Sequence, residues 1–269
     1  NKTGSSFANK GTLNSSGTLN NETGGELATI GTLINEAGGI LNNSGRLVSQ
    51  VGIIENNGTI NNDAQGAQVL YNSNTLNNTG TLNNTGRVNN DVGGTFNNTG
   101  TINNETGSNF ANKGTLNSSG TLNNETGSNF ANQGTLNNSG TLQNDGRIYN
   151  AGTINDDNTI INNGILHSDG TINTDVDVKA GGILMGNGAI NGSVLLEGEI
   201  RAGSWVGTMT TGNQTWLDGA NYIWQVNDSD GATGGAIGSD LIDITAIAGD
   251  SGVLDLSQLN TGGFGIDIY

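Results

Sequence analysis

The sequence predicts an all-β protein wound as a parallel β-helix, a solenoid of three-sided coils with 18–20 residues in each coil. Composition is the first of three observations that predict it. The 269 residues include 46 Gly, 46 Asn and no Pro, whereas only 12% are charged. Gly costs about 1 kcal/mol at each helical position and Asn prefers turns, so a helical protein is excluded. The regular placement of the 32% apolar residues also argues against disorder.

Tandem repetition is the second observation. Residues 107–126 and 127–146 are identical at 15 of 20 positions, and residues 4–23 match residues 107–126 at 19 of 20. Repeats of this length indicate stacked structural units, each of which packs on its neighbours.

A six-residue period of apolar side chains is the third observation. It runs without interruption through the later repeats, at Leu136, Leu142, Ile148, Ile154, Ile160, Leu166 and Ile172. A helix would place residues six apart on opposite faces, whereas six residues suit one short strand and one corner. Three such sides close a coil.

Each GT[LI]NN segment is then expected to form one side of a coil. Alternation along the strand points the Leu or Ile inward and the flanking Thr and Asn outward. Gly or the second Asn is expected at the corner with a positive φ. Asn at one place in every coil is expected to hydrogen-bond to its copies in the coils before and after it, as an asparagine ladder.

Two regions follow from this pattern. Residues 1–177 are expected to form a hexad-repeat β-helix of about eight or nine coils, with a bulge or loop at 63–70, where the period slips. Residues 178–269 lose the hexad but keep Gly-punctuated strands, which predicts a continuing β-helix and a β-rich C-terminal cap. The aromatic residues concentrated there are expected to form a wider core or to cover the coil stack: Trp205, Trp216, Tyr222 and Trp224.

The same region carries a family resemblance. The segment GGILMGNGAINGSVLLEGEIRAGSWVGTMTT, followed by WLDGANYIWQVNDSDGATGGAIGSDLIDIT, resembles the Gly-rich β-helix ends of bacterial autotransporter passengers and related exported surface proteins. Ala202 stands where the family has Pro in the turn that runs to Thr208. The GTLNNSG repeats are similar to those of filamentous-haemagglutinin-like adhesins. The resemblance implies a right-handed β-helix and export to the cell surface or medium, whereas the six-residue period alone suits either hand.

Charge and residue usage exclude several classes of function. The net charge of −16, with no basic run, disfavours binding to nucleic acid or to anionic membranes. The absence of Cys excludes disulfides and thiolate chemistry, and no run of apolar residues is long enough to span a bilayer. Because residues 1–6 already lie inside a repeat, we expect the chain to be a fragment or mature piece of something longer.

Few residues suggest chemistry, and we predict no catalytic, cofactor-binding or metal-binding residues. His167 is the only histidine in the sequence. Its neighbours Ser168 and Asp169 are expected to alternate in direction along a strand, so the three residues should not form a catalytic triad. We expect the His167 side chain to be solvated. Asp157 and Asp175 lie 18 residues apart, and adjacent coils could bring them together around calcium, although two solvated acids are the simpler expectation. The segment 227–231 resembles the start of a calcium loop, but without a following Glu we predict a plain turn.

The predicted function is structural. A rigid exported β-solenoid on the cell surface is expected to act in adhesion, biofilm cohesion or filament formation, through binding to itself, to glycans or to receptors. Two alternatives stay open. Outward Thr-x-Asn rows could bind ice, although Arg87 and Arg147 are expected to interrupt them. A glycan-degrading β-helix enzyme would need clustered acids and a basic residue, which eight scattered Lys and Arg residues disfavour.

Overall fold

The computed structural model describes residues 1–228, 230–231, 233–234, 238–246, 252–260 and 263–269. The chain forms two compact units, Asn1–Leu142 and Gln143–Tyr269. Every element assigned within the described residues is a β-strand. These residues contain no helix with the length and hydropathy that a membrane crossing requires.

Short strands make up the first unit, almost all of them four residues long. They are β1 (Ser6–Asn9), β2 (Thr12–Ser15), β3 (Thr18–Asn21), β4 (Glu26–Thr29), β5 (Thr32–Asn35), β6 (Ile40–Asn43), β7 (Arg46–Ser49), β8 (Ile53–Asn56), β9 (Thr59–Asn62), β10 (Leu70–Asn72), β11 (Thr75–Asn78), β12 (Thr81–Asn84), β13 (Arg87–Asn90), β14 (Thr95–Asn98), β15 (Thr101–Asn104), β16 (Asn109–Asn112), β17 (Thr115–Ser118), β18 (Thr121–Asn124), β19 (Asn129–Asn132) and β20 (Thr135–Asn138). The boundary between the units falls within β21 (Thr141–Asn144).

The second unit contains strands of two to four residues. They are β22 (Arg147–Asn150), β23 (Thr153–Asp156), β24 (Ile160–Asn162), β25 (Ile165–Ser168), β26 (Thr171–Asn173), β27 (Val176–Val178), β28 (Ile183–Gly186), β29 (Ala189–Ile190), β30 (Val194–Leu196), β31 (Glu199–Ala202), β32 (Thr208–Thr211), β33 (Gln214–Trp216), β34 (Asn221–Trp224), β35 (Leu241–Ile244), β36 (Leu254–Asp255) and β37 (Gly265–Ile268).

Each strand pairs in parallel with the strand three places later, so that every unit has three sheets. In the first unit, sheet 1 runs β1-β4-β7-β10-β13-β16-β19, sheet 2 runs β2-β5-β8-β11-β14-β17-β20 and sheet 3 runs β3-β6-β9-β12-β15-β18. In the second unit, sheet 1 runs β22-β25-β28-β31-β34-β37, sheet 2 runs β23-β26-β29-β32-β35 and sheet 3 runs β24-β27-β30-β33-β36. The predicted all-β parallel solenoid with three-sided coils is confirmed.

Coil length varies more than the repeat suggests. Phe110 pairs with Phe130 at the 20-residue spacing and Leu166 pairs with Leu184 at 18. Leu47, however, pairs with Leu70, which is 23 residues later. Strands keep a nearly constant length, so the additional residues lie in the corners.

The apolar positions of the hexad form the core of each unit. In sheet 2 of the first unit, the stack Leu76, Phe96, Leu116 and Leu136 is at most 1% exposed. Successive members are paired in register by the strand ladders. Burying each such side chain contributes about 1.5–3 kcal/mol before the entropy cost of ordering the chain.

The structure corrects the prediction that the second Asn of a TLNN segment could take a positive φ at the corner. Within the described residues, no residue other than Gly has a positive φ, so this Asn does not form a left-handed corner. It is the fourth residue of the strand, and alternation turns it inward beside the aliphatic core. Asn98 and Asn104, for example, are at most 1% exposed.

These inward asparagines form the predicted ladders. Each side-chain Nδ2 donates to the Oδ1 of its counterpart in the next coil, at 2.7–2.8 Å along sheet 3 from Asn21 through Asn43, Asn62, Asn84 and Asn104 to Asn124. The same nitrogen also donates to a backbone carbonyl, as Asn104 does to Asn129 at 2.8 Å. The ladders therefore satisfy polar groups that the corners bury.

Glycines at the corners fall into two classes. In four-residue corners, a Gly such as Gly107 has a φ of +81° in a tight turn, with open space around it. In two-residue corners, Gly100 and Gly120 have no positive φ, but they stack so closely that a Cβ on Gly120 would lie 2.0 Å from the Gly100 carbonyl oxygen. Close stacking, not left-handed backbone, is therefore what requires Gly before the GT[LI]NN strands.

The interruption near residue 63 forms a loop, as predicted. It occupies 63–69, between β9 and β10, and Gly66 within it has a φ of +62°. Ala64 is fully buried in the loop, which anchors it to the core of the first unit.

Candidate functional site

The outward faces of sheets 2 and 3 in the first unit are the most regular surfaces of the molecule. On sheet 2 a column of threonines stands in register on consecutive strands: Thr75, Thr95, Thr115 and Thr135. Sheet 3 carries the corresponding column of Thr59, Thr81, Thr101 and Thr121. Paired parallel strands lie about 4.8 Å apart, so each column repeats its hydroxyl at that interval.

A second column of asparagines lies beside each threonine column. On sheet 2, Asn137 donates to Asn117 at 2.9 Å, Asn117 to Asn97 at 2.9 Å and Asn97 to Asn77 at 2.8 Å. These outer ladders donate towards the N-terminus, whereas the inner ladders donate towards the C-terminus. The amide dipoles of the two layers therefore oppose each other. The outer side chains are held in one direction. On the four strands β11, β14, β17 and β20 the outward residues of sheet 2 are Thr and Asn without charge, and this stretch ends at β8, where Asn77 donates to the Glu55 carboxylate at 2.8 Å.

Sheet 1 presents a different outer surface. Its outward residues include Arg87, Asn109 and Ala111 in the first unit, and no threonine column forms there. Arg147 lies on β22, in sheet 1 of the second unit. The expectation that Arg87 and Arg147 interrupt the Thr-x-Asn rows is therefore wrong, because both lie on sheet 1.

His167 is outward-facing but not solvated, which corrects the sequence-based expectation. It is 7% exposed and packs edge-on against the ring of Tyr149, with ring centroids 4.9 Å apart. Tyr149 and Met185 are its partners on the neighbouring strands. Its Nε2 lies 3.2 Å from Asp169 Oδ2, and its Nδ1 has no hydrogen-bond partner among the described residues.

Ser168 points away from this cluster. It is fully buried, and its hydroxyl accepts a hydrogen bond from Asn150 Nδ2 at 3.1 Å in the inner ladder. The serine and the imidazole thus lie on opposite sides of the sheet, as strand alternation predicts. This arrangement lacks the contact between nucleophile and base that a catalytic triad needs.

Asp169 gives a testable dependence of stability on pH. Burial raises the pKa of its carboxyl, but the hydrogen bond from the Asn187 N–H and the nearby His167 and Tyr149 outweigh burial, so the net pKa lies below its ordinary value of 3.8. A lowered pKa in the folded state contributes stability that is lost as pH falls below about 3.8. The loss is expected to be less than about 1 kcal/mol, because the side chain is a third exposed.

The comparison of wild type with Asp169→Asn measures this contribution. Urea unfolding at pH 5 and pH 3 can follow Trp fluorescence, since all three tryptophans belong to the second unit. The stability advantage of the wild type is expected to shrink at pH 3. An advantage that is the same at both pH values would contradict the assignment.

The two acids that were considered for calcium, Asp157 and Asp175, differ in their surroundings. The Asp175 carboxylate accepts the Ser193 N–H at 2.7 Å, and Asp157 is an exposed corner residue. Within the described part of the chain, no group of three or more His, Cys, Asp or Glu residues is placed to hold a metal ion.

The segment 227–231 forms a turn in its described residues. The Asp228 carbonyl accepts the Gly231 N–H at 3.1 Å, and its side-chain Oδ1 accepts the Asp230 N–H at 3.0 Å. Ser229 lies outside the described residues. Both bonds are those of a plain turn, as predicted.

The C-terminal aromatic residues divide between core and surface. Trp216 is 5% exposed and packs edge-on against Phe264, with ring centroids 5.4 Å apart, and Tyr222 and Trp224 are half-buried. Trp205 is 80% exposed, so it is not part of a wider core, which was one of the two places expected for it. It lies in the corner between β31 and β32, outside the strand alternation that turns side chains inward.

No protein-family model matches the sequence, and no curated protein matches it. Among solved structures, the chain is similar to the crystal structure of a TibA fragment, residues 55–350, hyper-glycosylated by TibC. The two are 20% identical, with 98% of this chain and 95% of that chain covered and a TM-score of 0.46.

Proposed function

We propose that this chain is a non-catalytic structural protein of the bacterial surface or extracellular space, whose repeated faces mediate adhesion. The observation that carries the proposal is a pair of uncharged Thr and Asn surfaces in the first unit, one on four consecutive strands of sheet 2 and one on four consecutive strands of sheet 3. Such surfaces offer the same hydroxyl and amide groups in four consecutive coils. They suit a partner that also repeats, namely a glycan chain, a clustered receptor or a second copy of this protein.

Multivalency explains how shallow faces could bind. A single Thr-Asn site offers one or two hydrogen bonds, each with a small net free energy in water. Several sites in register act together, because the first contact raises the effective concentration of the next. The outer asparagine ladders reduce the entropy cost, since their side chains are already ordered before binding.

Two further features support a structural role over an enzymatic or nucleic-acid-binding one. Ser168 and His167 face opposite sides of their sheet, which removes the one arrangement that could have resembled a triad. The threonine columns carry no basic residue, and the net charge of −16 repels phosphate backbones. Biofilm cohesion and filament formation would follow if the preferred partner is the protein itself.

A charge placed on one face tests the proposal. We expect Thr95→Lys combined with Thr135→Lys to lower binding to immobilised glycans and cells, and self-association, by at least about tenfold, because the two lysines break the uncharged surface. The matched control is Asn129→Lys with Gln133→Lys, which adds the same charge at exposed positions outside sheets 2 and 3. Glycan arrays and sedimentation give the readouts.

The two outcomes separate clearly. A loss confined to the sheet 2 variant supports adhesion through the repeated faces. Equal binding by all three proteins, or equal loss in both variants, would show that these faces are not the binding surface.

Ice binding is a second candidate, favoured by one observation. The threonine columns on sheets 2 and 3 are unbroken over four consecutive strands in the first unit, so each sheet carries a regular row of hydroxyl groups. Thermal hysteresis is the direct test. An ice binder would lower the freezing point without lowering the melting point, and Thr95→Lys with Thr135→Lys would abolish the gap if sheet 2 is the ice-binding face.

A further inference from the structure

The loop at 63–69 changes the outer surface of sheet 1 in the first unit. All other corners from sheet 3 to sheet 1 within this fully described unit have two or four residues, whereas this one has seven. The additional residues stand beside the sheet and turn its flat surface into a cleft. Gly66, Ala67 and Val69 from the loop form one wall.

The cleft has a volume of about 330 Å³, within the range of small-molecule sites. Its floor comes from consecutive strands of sheet 1, where Tyr71 pairs with Asn89 and Asn89 pairs with Ala111. The Ala111 side chain is a single methyl group, so it leaves open space in the cleft beyond the Tyr71 ring. Arg87 and Lys113 also line the cleft.

Some polar groups of the cleft have hydrogen-bond partners within the protein and others do not. The Tyr71 hydroxyl donates to the Asp91 carboxylate, which holds the ring in place and raises the pKa of Tyr71. The Asn89 Oδ1 is buried and has no hydrogen-bond partner among the described residues. A buried acceptor without a partner is costly, so a ligand hydroxyl that donated to it would recover that free energy.

Positive charge distinguishes this cleft from the rest of an acidic chain. Arg87 is fixed to the loop, because its Nη1 donates to the Gly66 carbonyl at 2.7 Å. Neither Arg87 nor Lys113 forms an ion pair with any residue that the structure describes. An arginine has five N–H donors, so the guanidinium keeps donors for a ligand. Two such cations lining one cleft favour a carboxylate.

We propose that this cleft binds a carboxylate-bearing sugar residue of an acidic polysaccharide. Arg87 and Lys113 would hold the carboxylate, Asn89 would accept from a sugar hydroxyl, and Tyr71 would contact the sugar ring. The inference rests on the proposed adhesive function and gives it a specific glycan class. An acidic peptide shares only the carboxylate and cannot use Asn89 and Tyr71 in the same way.

Calorimetric titration of the full chain with a galacturonic acid trimer tests the proposal. We expect saturable binding that weakens as the salt concentration rises. We also expect the affinity for the trimer to fall at least tenfold in Arg87→Gln and in Lys113→Gln. Lys113→Gln is included because Arg87 also holds the loop, whereas Lys113 makes no such bond. The matched control is Lys10→Gln, which removes an exposed positive charge outside the cleft and should bind like the wild type.

Asn89→Leu tests the hydroxyl contact separately. This substitution should lower the affinity for the acidic trimer about tenfold. A neutral galactose trimer should bind poorly to the wild type and to every variant. The proposal is overturned if the wild type does not bind the acidic trimer, or if Lys10→Gln loses as much affinity for the trimer as Lys113→Gln does. It is also overturned if oligoglutamate binds to the wild type as tightly as the acidic trimer does.

The sheet 2 variant Thr95→Lys with Thr135→Lys separates the two proposals. It should retain binding of the acidic trimer if the cleft is the site, even where it abolishes attachment to cells. Retained trimer binding with lost attachment supports both proposals. Loss of trimer binding in this variant would place the sugar site on sheet 2 and overturn the assignment to the cleft.

Discussion

Gly120→Ala is expected to destabilise the first unit by more than about 3 kcal/mol. The added Cβ would lie 2.0 Å from the carbonyl oxygen of Gly100, a contact that only backbone movement could relieve. Neither strand beside this corner can move freely, because each is hydrogen-bonded to the coils before and after it. Gly100 is itself stacked in the same way on Gly80, again at 2.0 Å, so a shift in one coil would propagate to the next.

Gly107→Ala is the matched control for this prediction. Gly107 has a φ of +81°, but no atom lies within 4 Å of the place that a Cβ would take, so only the left-handed backbone opposes alanine, at about 1–2 kcal/mol. Urea unfolding followed by circular dichroism, with hydrogen exchange of β14–β18, measures both variants. Equal destabilisation would show that close stacking is not what selects Gly at the two-residue corners.

Asn98→Ala is expected to cost about 2–3 kcal/mol, whereas Asn97→Ala on the same strand is expected to cost less than about 0.5 kcal/mol. Asn98 is buried, accepts from Asn78 at 2.8 Å and donates to the Thr121 carbonyl at 3.1 Å. Its removal takes from the part-buried Thr121 carbonyl the amide that donates to it, and leaves the Asn78 amide without its Oδ1 acceptor. Asn97 makes comparable ladder bonds, but its face is open to water, which replaces them.

The two asparagines form an internal comparison, since they share a strand and a side chain and differ in the direction they face. The same unfolding and hydrogen-exchange measurements apply. If both variants lose similar stability, the inner ladders contribute no more than the outer ones, and burial of the amide is not what makes them costly to remove.

Most of the fold prediction depended on one local rule, the alternation of side chains between the two faces of a strand. The period of six predicted the inward positions of Leu116 and Leu136, because alternation along a strand is a property of the backbone itself. It also predicted that Ser168 and His167 face opposite ways. The same rule, applied one residue further, would have placed the second Asn of each TLNN segment inside.

Corners were harder to predict. The sequence pattern suggested positive φ for Gly or the second Asn, but the glycines of the two-residue corners are needed for contacts with another coil. Such a contact joins residues about 20 positions apart, so no local preference reports it. The buried state of His167 has the same origin, since Tyr149 and Met185 come from neighbouring coils.

The sequence by itself determined the all-β solenoid, its three-sided coils, its ladders of asparagine and the slip of the period at 63–70, because all of these depend on spacing along one chain. Only the tertiary structure decided that the slip becomes one wall of a cleft, that Arg87 and Lys113 come to line it together, and that the inner and outer asparagine ladders run in opposite directions. Those features depend on which side chains adjacent coils bring within hydrogen-bond distance, and that proximity is created by stacking.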